Sequence, residues 1–206
     1  QPTQAHLIRS SGVDLERFNP LPENLSQPPL IILPARLLRD KGVLEFVDAA
    51  RLLRQRGVPA RMALVGDPDP HNPASINQAD IENWQREGII ESLGWRQDMP
   101  AVYAESHLVC LPSYYREGVP KSLLEAAASG RAIITTDAPG CREVVRHGIN
   151  GLLVPPRDSQ ALADAIQTLL ENPALRQQMA QRGREIVEKE FSSQIVIKET
   201  LKVYGE

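Results

Sequence analysis

Two glutamates, Glu117 and Glu125, stand eight positions apart in the stretch LPSYYREGVPKSLLEAAASG, the first in a polar turn and the second inside an apolar run. Pro120 suits the first position of a helix, and Gly118 ahead of it lets a ligand approach the backbone closely. The amides of Lys121 and Ser122 would then be unpaired donors at the positive end of that helix, where phosphates and sugar hydroxyls bind. Lys121 adds a mobile charge in the same place, and Gly130 supplies the helix stop. At roughly 100° per residue, Glu125 lies about 130° from the centre of the face made by Leu123, Leu124, Ala127 and Ala128. Two roles stay open for it. Exposed, it pairs with Lys121 one turn earlier; buried, it needs partners such as a ribose diol. A glycosidase dyad requires two carboxyls flanking one bond about 5–10 Å apart, which spacing in sequence does not test.

A second concentration of charge follows the first apolar run, in PARLLRDKG. Arg36 and Lys41 offer a guanidinium and an ammonium that can neutralise a diphosphate. The plainer alternative is a solvated loop balanced by Asp40 and Glu45. No G-x-G-x-x-G follows this run and no G-x-x-x-x-G-K-[ST] occurs, so a nicotinamide or flavin dehydrogenase and a phosphate-loop ATPase are both disfavoured. GDPDPHNPAS places Asp67, Asp69 and His71 close together in a proline-rich loop, and no metal site is expected of them. His107 reads as a satisfied core histidine, Cys110 as core and Cys141 as an unreactive thiol.

The elements that must position these groups alternate. Strands are expected over Leu30 to Leu33, Arg61 to Val65, Ile89 to Leu93, His107 to Leu111, Ala132 to Thr136 and Leu152 to Val154. Helices are expected over Val43 to Arg56, Ser75 to Glu87, Met99 to Glu105, Pro120 to Ser129 and Cys141 to Arg146, then over Ser159 to Leu170, Pro173 to Lys189 and Ser193 to Tyr204. Such βα units predict an α/β fold, a Rossmann-like, doubly wound parallel sheet of about six strands with helices on both faces. Its ligands belong beyond the carboxyl ends of the strands. Residues 1–29, rich in turn formers, read as a connector to a domain over 30–206.

Composition narrows the class. Lys plus Arg (23) against Asp plus Glu (26) gives a net charge of −3, which leaves no broad positive field for nucleic acid or anionic lipid. Aromatic residues are only 4%, too few for stacking platforms, so a sugar would be held by hydrogen bonds and charge. Two cysteines offer no disulfide framework, which fits a reducing cytoplasm, and no apolar run approaches the length of a membrane span.

The motifs ARLLRDKG, LVGD, SLGWRQDM, Glu117 with Glu125, and INGLLVPPRD, in that order, resemble the retaining glycosyltransferases of family four, also called group 1. The resemblance runs from about Gly12 to the C-terminus. It implies the GT-B architecture, of which this chain looks like the C-terminal, donor-binding half, SGVDLERFNP resembling the interdomain crossing. Its implied partners are a nucleotide-sugar donor and an N-terminal acceptor domain of the same protein, through which any membrane association would come. The resemblance assigns Arg36 and Lys41 to the donor diphosphate, Glu125 to the ribose, and Glu117, the catalytic candidate, to the transferred sugar. Backbone at Gly118 and Val119, with Lys121 and Ser122, would hold sugar and phosphate oxygens. Gly66 and Asp67 would line the cleft, with Gly94 and Trp95 near the base. The chain has Glu117-Gly118-Val119-Pro120 where EGFG is usual, so Pro120 withdraws one amide donor. A metal-free transfer of a hexose or N-acetylhexosamine from a UDP-sugar is the implied chemistry, as in bacterial polysaccharide biosynthesis. A nucleotide-sugar epimerase of the same architecture and a non-catalytic flavodoxin-like domain are the rival readings.

Overall fold

The computed structural model describes residues 10–24, 27–115 and 118–204. Six strands form one parallel sheet: β1 (Leu30–Pro34), β2 (Arg61–Val65), β3 (Glu91–Ser92), β4 (Leu108–Leu111), β5 (Ala132–Thr136) and β6 (Gly151–Val154). Their spatial order is β3-β2-β1-β4-β5-β6. The chain builds outward from β1 to β3, then returns to lay β4 on the other side of β1, with Ile31 opposite Leu108. Strand order therefore reverses between β1 and β4, and the crevice beyond their carboxyl ends is the place where such sheets bind ligands.

Alternation within the strands feeds two cores. Ile31, Leu33, Leu108, Cys110 and Ile134 pack on one face with Phe46, Leu53, Trp84, Leu162 and Ile166. Ile32, Val109, Leu111 and Ile133 pack on the other with Val102, Tyr103, Leu123, Leu124 and Phe191. Burial on both faces is why the strands read as unbroken apolar runs. The first core is covered by α1 (Val43–Gln55), α2 (Gln78–Arg86) and α6 (Ser159–Glu171), the second by α3 (Met99–Glu105), α4 (Lys121–Ala128) and α5 (Pro139–Val144). α7 (Pro173–Glu190) contributes Met179 to the first and Ile186 to the second, and α8 (Ser193–Tyr204) ends the described chain. Among the described residues no helix is long and apolar enough to cross a membrane.

Several boundaries shift for physical reasons. β3 contracts to two residues because the amide of Ile89 closes the end of α2 on the Trp84 carbonyl. α2 begins later than expected because Ser75 and Ile76 bond to Asn72 and Leu37 instead. α5 starts at Pro139, which needs no amide partner in a first turn.

Of the expected connector, residues 10–24 lie on the domain. The Val13 amide donates to the Phe191 carbonyl at 2.9 Å, and Phe18 meets Tyr103 edge to face at 5.9 Å. Three arginines hold the segment. Arg184 donates to the carbonyls of Phe18 (2.7 Å) and Ala128 (2.6 Å), and buried Arg131 to those of Leu21, Tyr103 and Ala104. Arg176 forks onto Glu23, Nε to Oε1 at 3.0 Å and Nη2 to Oε2 at 2.7 Å.

The loops after β1 and β4 touch through their backbones. Gly42, at φ +76°, opens α1, and a Cβ there would stand 2.3 Å from the Pro112 carbonyl oxygen. Gly42→Ala is therefore expected to lower stability by about 2 kcal/mol, measured by denaturant unfolding, through backbone strain and forced separation of the two loops. A loss of only a few tenths of a kcal/mol would show that the loops separate freely.

Candidate functional site

Three loops form one wall of the crevice. The Leu37 amide donates to the Asp67 carbonyl at 3.0 Å and the Gly66 amide to the Gly94 carbonyl at 2.8 Å. Asp67 Oδ1 accepts the Trp95 amide at 3.1 Å. Gly66 sits at φ +144°, and a Cβ there would lie 2.1 Å from the Ala35 carbonyl oxygen, so only glycine lets the wall close on β1. Gly66, Asp67, Gly94 and Trp95 are thus brought together. The Asp67 carboxylate braces its neighbour's backbone, while the Trp95 side chain stands in the open, the residue being 68% exposed.

Arg36 projects from the loop after β1, and its Nη1 donates to Asp69 Oδ2 at 3.2 Å. Its counter-charge comes from the loop after β2 rather than from Asp40 or Glu45, each of which keeps one buried carboxyl oxygen without a hydrogen-bond partner. The three candidate ligands of the proline-rich loop serve different neighbours. Asp67 holds Trp95, while Asp69 holds Arg36 and accepts the His71 amide at 3.3 Å. Among the described residues no three His, Cys, Asp or Glu side chains group as for a metal. Lys41 ends a 3-10 turn over Arg39–Lys41, with its ammonium 5.5 Å from the centroid of the Tyr115 ring.

The opposite wall is the start of α4. The amides of Leu123 (3.1 Å) and Leu124 (3.4 Å) make the first bonds, both to the Pro120 carbonyl, so those of Lys121 and Ser122 lie ahead of the helical ladder. Gly118 and Val119 lead into this turn. Glu117 falls outside the described residues.

Glu125 is mostly buried, its side chain 13% exposed. Its own helix does not bury it; α3 does. The Tyr103 hydroxyl lies 3.2 Å from both Glu125 Oε2 and the Ser122 carbonyl, one proton between two acceptors. Lys121 Nζ is 3.9 Å from Oε1, a loose contact from a side chain 68% exposed. Burial raises the Glu125 carboxyl above its ordinary range, opposed by the Tyr103 bond and by Lys121. Burial, and then the Glu125 charge, push the Tyr103 phenol well up. Sequence reasoning missed Tyr103 and the role of Asp69. Tyr103 is a lone aromatic in a short helix, and only the packing of α3 on α4 reveals it.

His107 accepts the Leu30 amide on Nδ1 at 3.1 Å and faces the Asn24 carbonyl through Nε2 at 3.0 Å, a satisfied histidine with its pKa lowered mainly by burial. Cys110 is fully buried, which pushes its thiol far up.

A family profile described as glycosyl transferases group 1 matches residues 28–172. The chain is 31% identical over 210 residues to the N,N'-diacetylbacillosaminyl-diphospho-undecaprenol alpha-1,3-N-acetylgalactosaminyltransferase of Campylobacter jejuni, covering 96% of this chain and 53% of that protein. It is 27% identical over 204 residues to the capsular polysaccharide biosynthesis glycosyltransferase CapM of Staphylococcus aureus, with 95% and 53% covered. The chain thus spans about half the length of the curated relatives it matches. Among solved structures, the C-terminal domain of a group 1 glycosyl transferase family protein from Francisella tularensis is 26% identical with a TM-score of 0.75, covering 88% of this chain and 99% of that one. Anabaena HepE in complex with UDP shares the fold at 23% identity with a TM-score of 0.82, covering 94% of this chain and 56% of that one.

Proposed function

The chain belongs to the group 1 glycosyltransferases, and from that premise we propose that it is the donor-binding half of a metal-independent, retaining enzyme. The whole protein would transfer a hexose or N-acetylhexosamine from a nucleotide diphosphate sugar to a glycan or lipid-linked acceptor held by a second domain. The observation that carries this reading is Glu125, a carboxylate buried against Tyr103 in α4, the helix that follows β4 and whose first two amides lie ahead of its hydrogen-bond ladder. Among the described residues a neutral phenol is the hydrogen-bond donor to this carboxylate and Lys121 stands off at 3.9 Å; burial on those terms is costly unless a ligand completes it, and a ribose diol supplies two more donors. Arg36, Lys41 and the amides of α4 would stabilise charge building on the leaving diphosphate, doing by fixed donors what a metal does elsewhere. Glu117 would contact the transferred sugar. Trp95 and the Gly94 turn would meet the base. Anabaena HepE was solved with UDP, which makes UDP the first nucleotide to try.

Calorimetry of this chain with UDP, GDP and ADP and their sugars tests the reading. One diphosphate is expected to bind, adding about 2.7 kcal/mol of stability at about 100 times its Kd. Arg36→Ala should weaken nucleotide and nucleotide sugar alike by about tenfold, as loss of a charge-assisted contact to phosphate does. Glu117→Ala should weaken the nucleotide sugar more than the bare nucleotide. The donor-site assignment fails if no diphosphate binds at millimolar concentration, or if Arg36→Ala changes nothing.

A further inference from the structure

The hydroxyl of Tyr103 has one proton and two acceptors at 3.2 Å, Glu125 Oε2 and the Ser122 carbonyl. Their claims on it are unequal. Ser122 lies in α4 (Lys121–Ala128), so its carbonyl is already served by the amide one turn further on. The Glu125 carboxylate, charged and mostly buried, is the stronger acceptor and the one that a missing donor would penalise. Oε2 therefore faces inward to the phenol, while Oε1 lies toward Lys121, whose Nζ is 3.9 Å away on a side chain 68% exposed.

The phenol is the fixed partner of the two. Tyr103 is 0% exposed, its ring meets Phe18 edge to face at 5.9 Å, and its carbonyl accepts Arg131 Nε at 2.7 Å and Ser106 Oγ at 2.9 Å. Glu125 by contrast has a long side chain whose rotamers must be restricted before a ligand can use its oxygens. Burial, and then the Glu125 charge, push the phenol well up, so through the neutral and acid range it remains a donor. The charged and titratable groups that face Glu125 are Tyr103 from α3, Lys121 from its own helix and Arg17 from the docked segment 10–24. Burial raises the Glu125 carboxyl, and the Tyr103 bond, then Lys121 and Arg17, oppose that rise.

We propose that Tyr103 is a positioning residue of the donor site: by holding Oε2 from a rigid pocket, it sets the Glu125 carboxylate with Oε1 outward for the ribose hydroxyls. This rests on the donor-site reading above and adds to it the residue that presets the ribose contact. Tyr103 touches no part of the donor in this scheme. Its contribution is preorganisation, since the rotamers of Glu125 are restricted when the chain folds and not when the nucleotide binds. A hydrogen bond to the charged form also keeps Glu125 ionised to a lower pH than burial alone would allow.

Tyr103→Phe tests this, because it removes the donor and keeps the ring that packs on Phe18. Titration calorimetry of this chain with UDP and with 2′-deoxy-UDP, from neutral pH down to the acid limit of folding, is the measurement, alongside thermal melting to confirm a cooperative transition. UDP affinity at neutral pH is expected to fall about threefold to tenfold, as loss of one oriented hydrogen bond does. The preference for UDP over 2′-deoxy-UDP should narrow by a similar factor. Binding should also be lost on acidification at a higher pH than in wild type, the titration of the nucleotide's own phosphate being common to both proteins. An unchanged preference or an unmoved acid limb in Tyr103→Phe overturns the inference and leaves the donor site standing, whatever the overall loss of affinity. If wild type does not distinguish the two nucleotides, Glu125 does not hold the ribose and the inference falls with that assignment. If wild type binds neither, the donor-site reading for UDP itself fails.

Discussion

Arg176→Ala is expected to destabilise the chain by about 3–5 kcal/mol, a drop in melting temperature of roughly 6–20 °C for a domain of this size. The side chains of Arg176 and Glu23 are 3% and 7% exposed, and the guanidinium engages both carboxylate oxygens while Nη1 donates to the Leu169 carbonyl at 2.8 Å. Removing the arginine leaves a carboxylate in a site that water barely reaches. The penalty is that of an uncompensated charge rather than the net value of the pair, so the double variant Arg176→Met, Glu23→Leu should recover most of the loss. Hydrogen exchange should place the damage locally. Residues 10–24, which reach the domain through Val13, Phe18 and the three arginines, should lose protection ahead of β1, β4 and β5. A single variant that costs less than about 1 kcal/mol would mean that Glu23 leaves its pocket and the segment peels off readily.

That segment marks where the sequence is and is not readable. Its Pro, Asn and Ser content gives a true account of its backbone, which has no sustained helix or strand, and none of its fixation. The three arginines that grip it are remote in sequence, and a gripping arginine looks like a solvated one until the fold brings carbonyls to it. By contrast β2, β5, α3 and α8 span the residues expected of them, because a short apolar run and a helical period of 3.6 are local properties. The same division runs through the site. The placement of Arg36, Lys41 and the start of α4 just beyond strand ends was legible from the sequence pattern. Their partners were not. Arg36 pairs with Asp69, 33 positions away, in preference to nearby Asp40. Glu125, judged by the apolar face of its own helix, could equally have been exposed; Tyr103, 22 positions earlier, decides the matter.

Glu125→Gln is expected to move stability and binding in opposite directions. The carboxyl is raised chiefly by burial, with the Tyr103 bond and Lys121 only partly offsetting it. A folded-state pKa above the unfolded one means that Glu125 favours the fold fully only below the ordinary glutamate range. That contribution is lost as pH climbs through the raised value, so at neutral pH the ionised side chain weighs against folding. Glutamine keeps the shape and has no charge to desolvate, and it still offers an oxygen to the Tyr103 hydroxyl. The variant should therefore melt no lower than wild type at pH 7, and the difference should shrink as pH falls. Binding should go the other way. A carboxylate accepts two ribose hydroxyls through charge-assisted bonds, and an amide presents one acceptor and an unwanted donor. Losing one such bond costs about 1.5–3 kcal/mol, or roughly 10-fold to 100-fold in nucleotide affinity. Wild-type affinity should likewise weaken on acidification at a higher pH than an ordinary glutamate would give. The 2′-deoxynucleotide separates this from a general loosening of the site. If Glu125 holds the ribose, removal of the 2′-hydroxyl should weaken wild-type binding and make little difference to Glu125→Gln. If the two losses simply add, the carboxylate serves α3 and α4 alone and the ribose is held elsewhere.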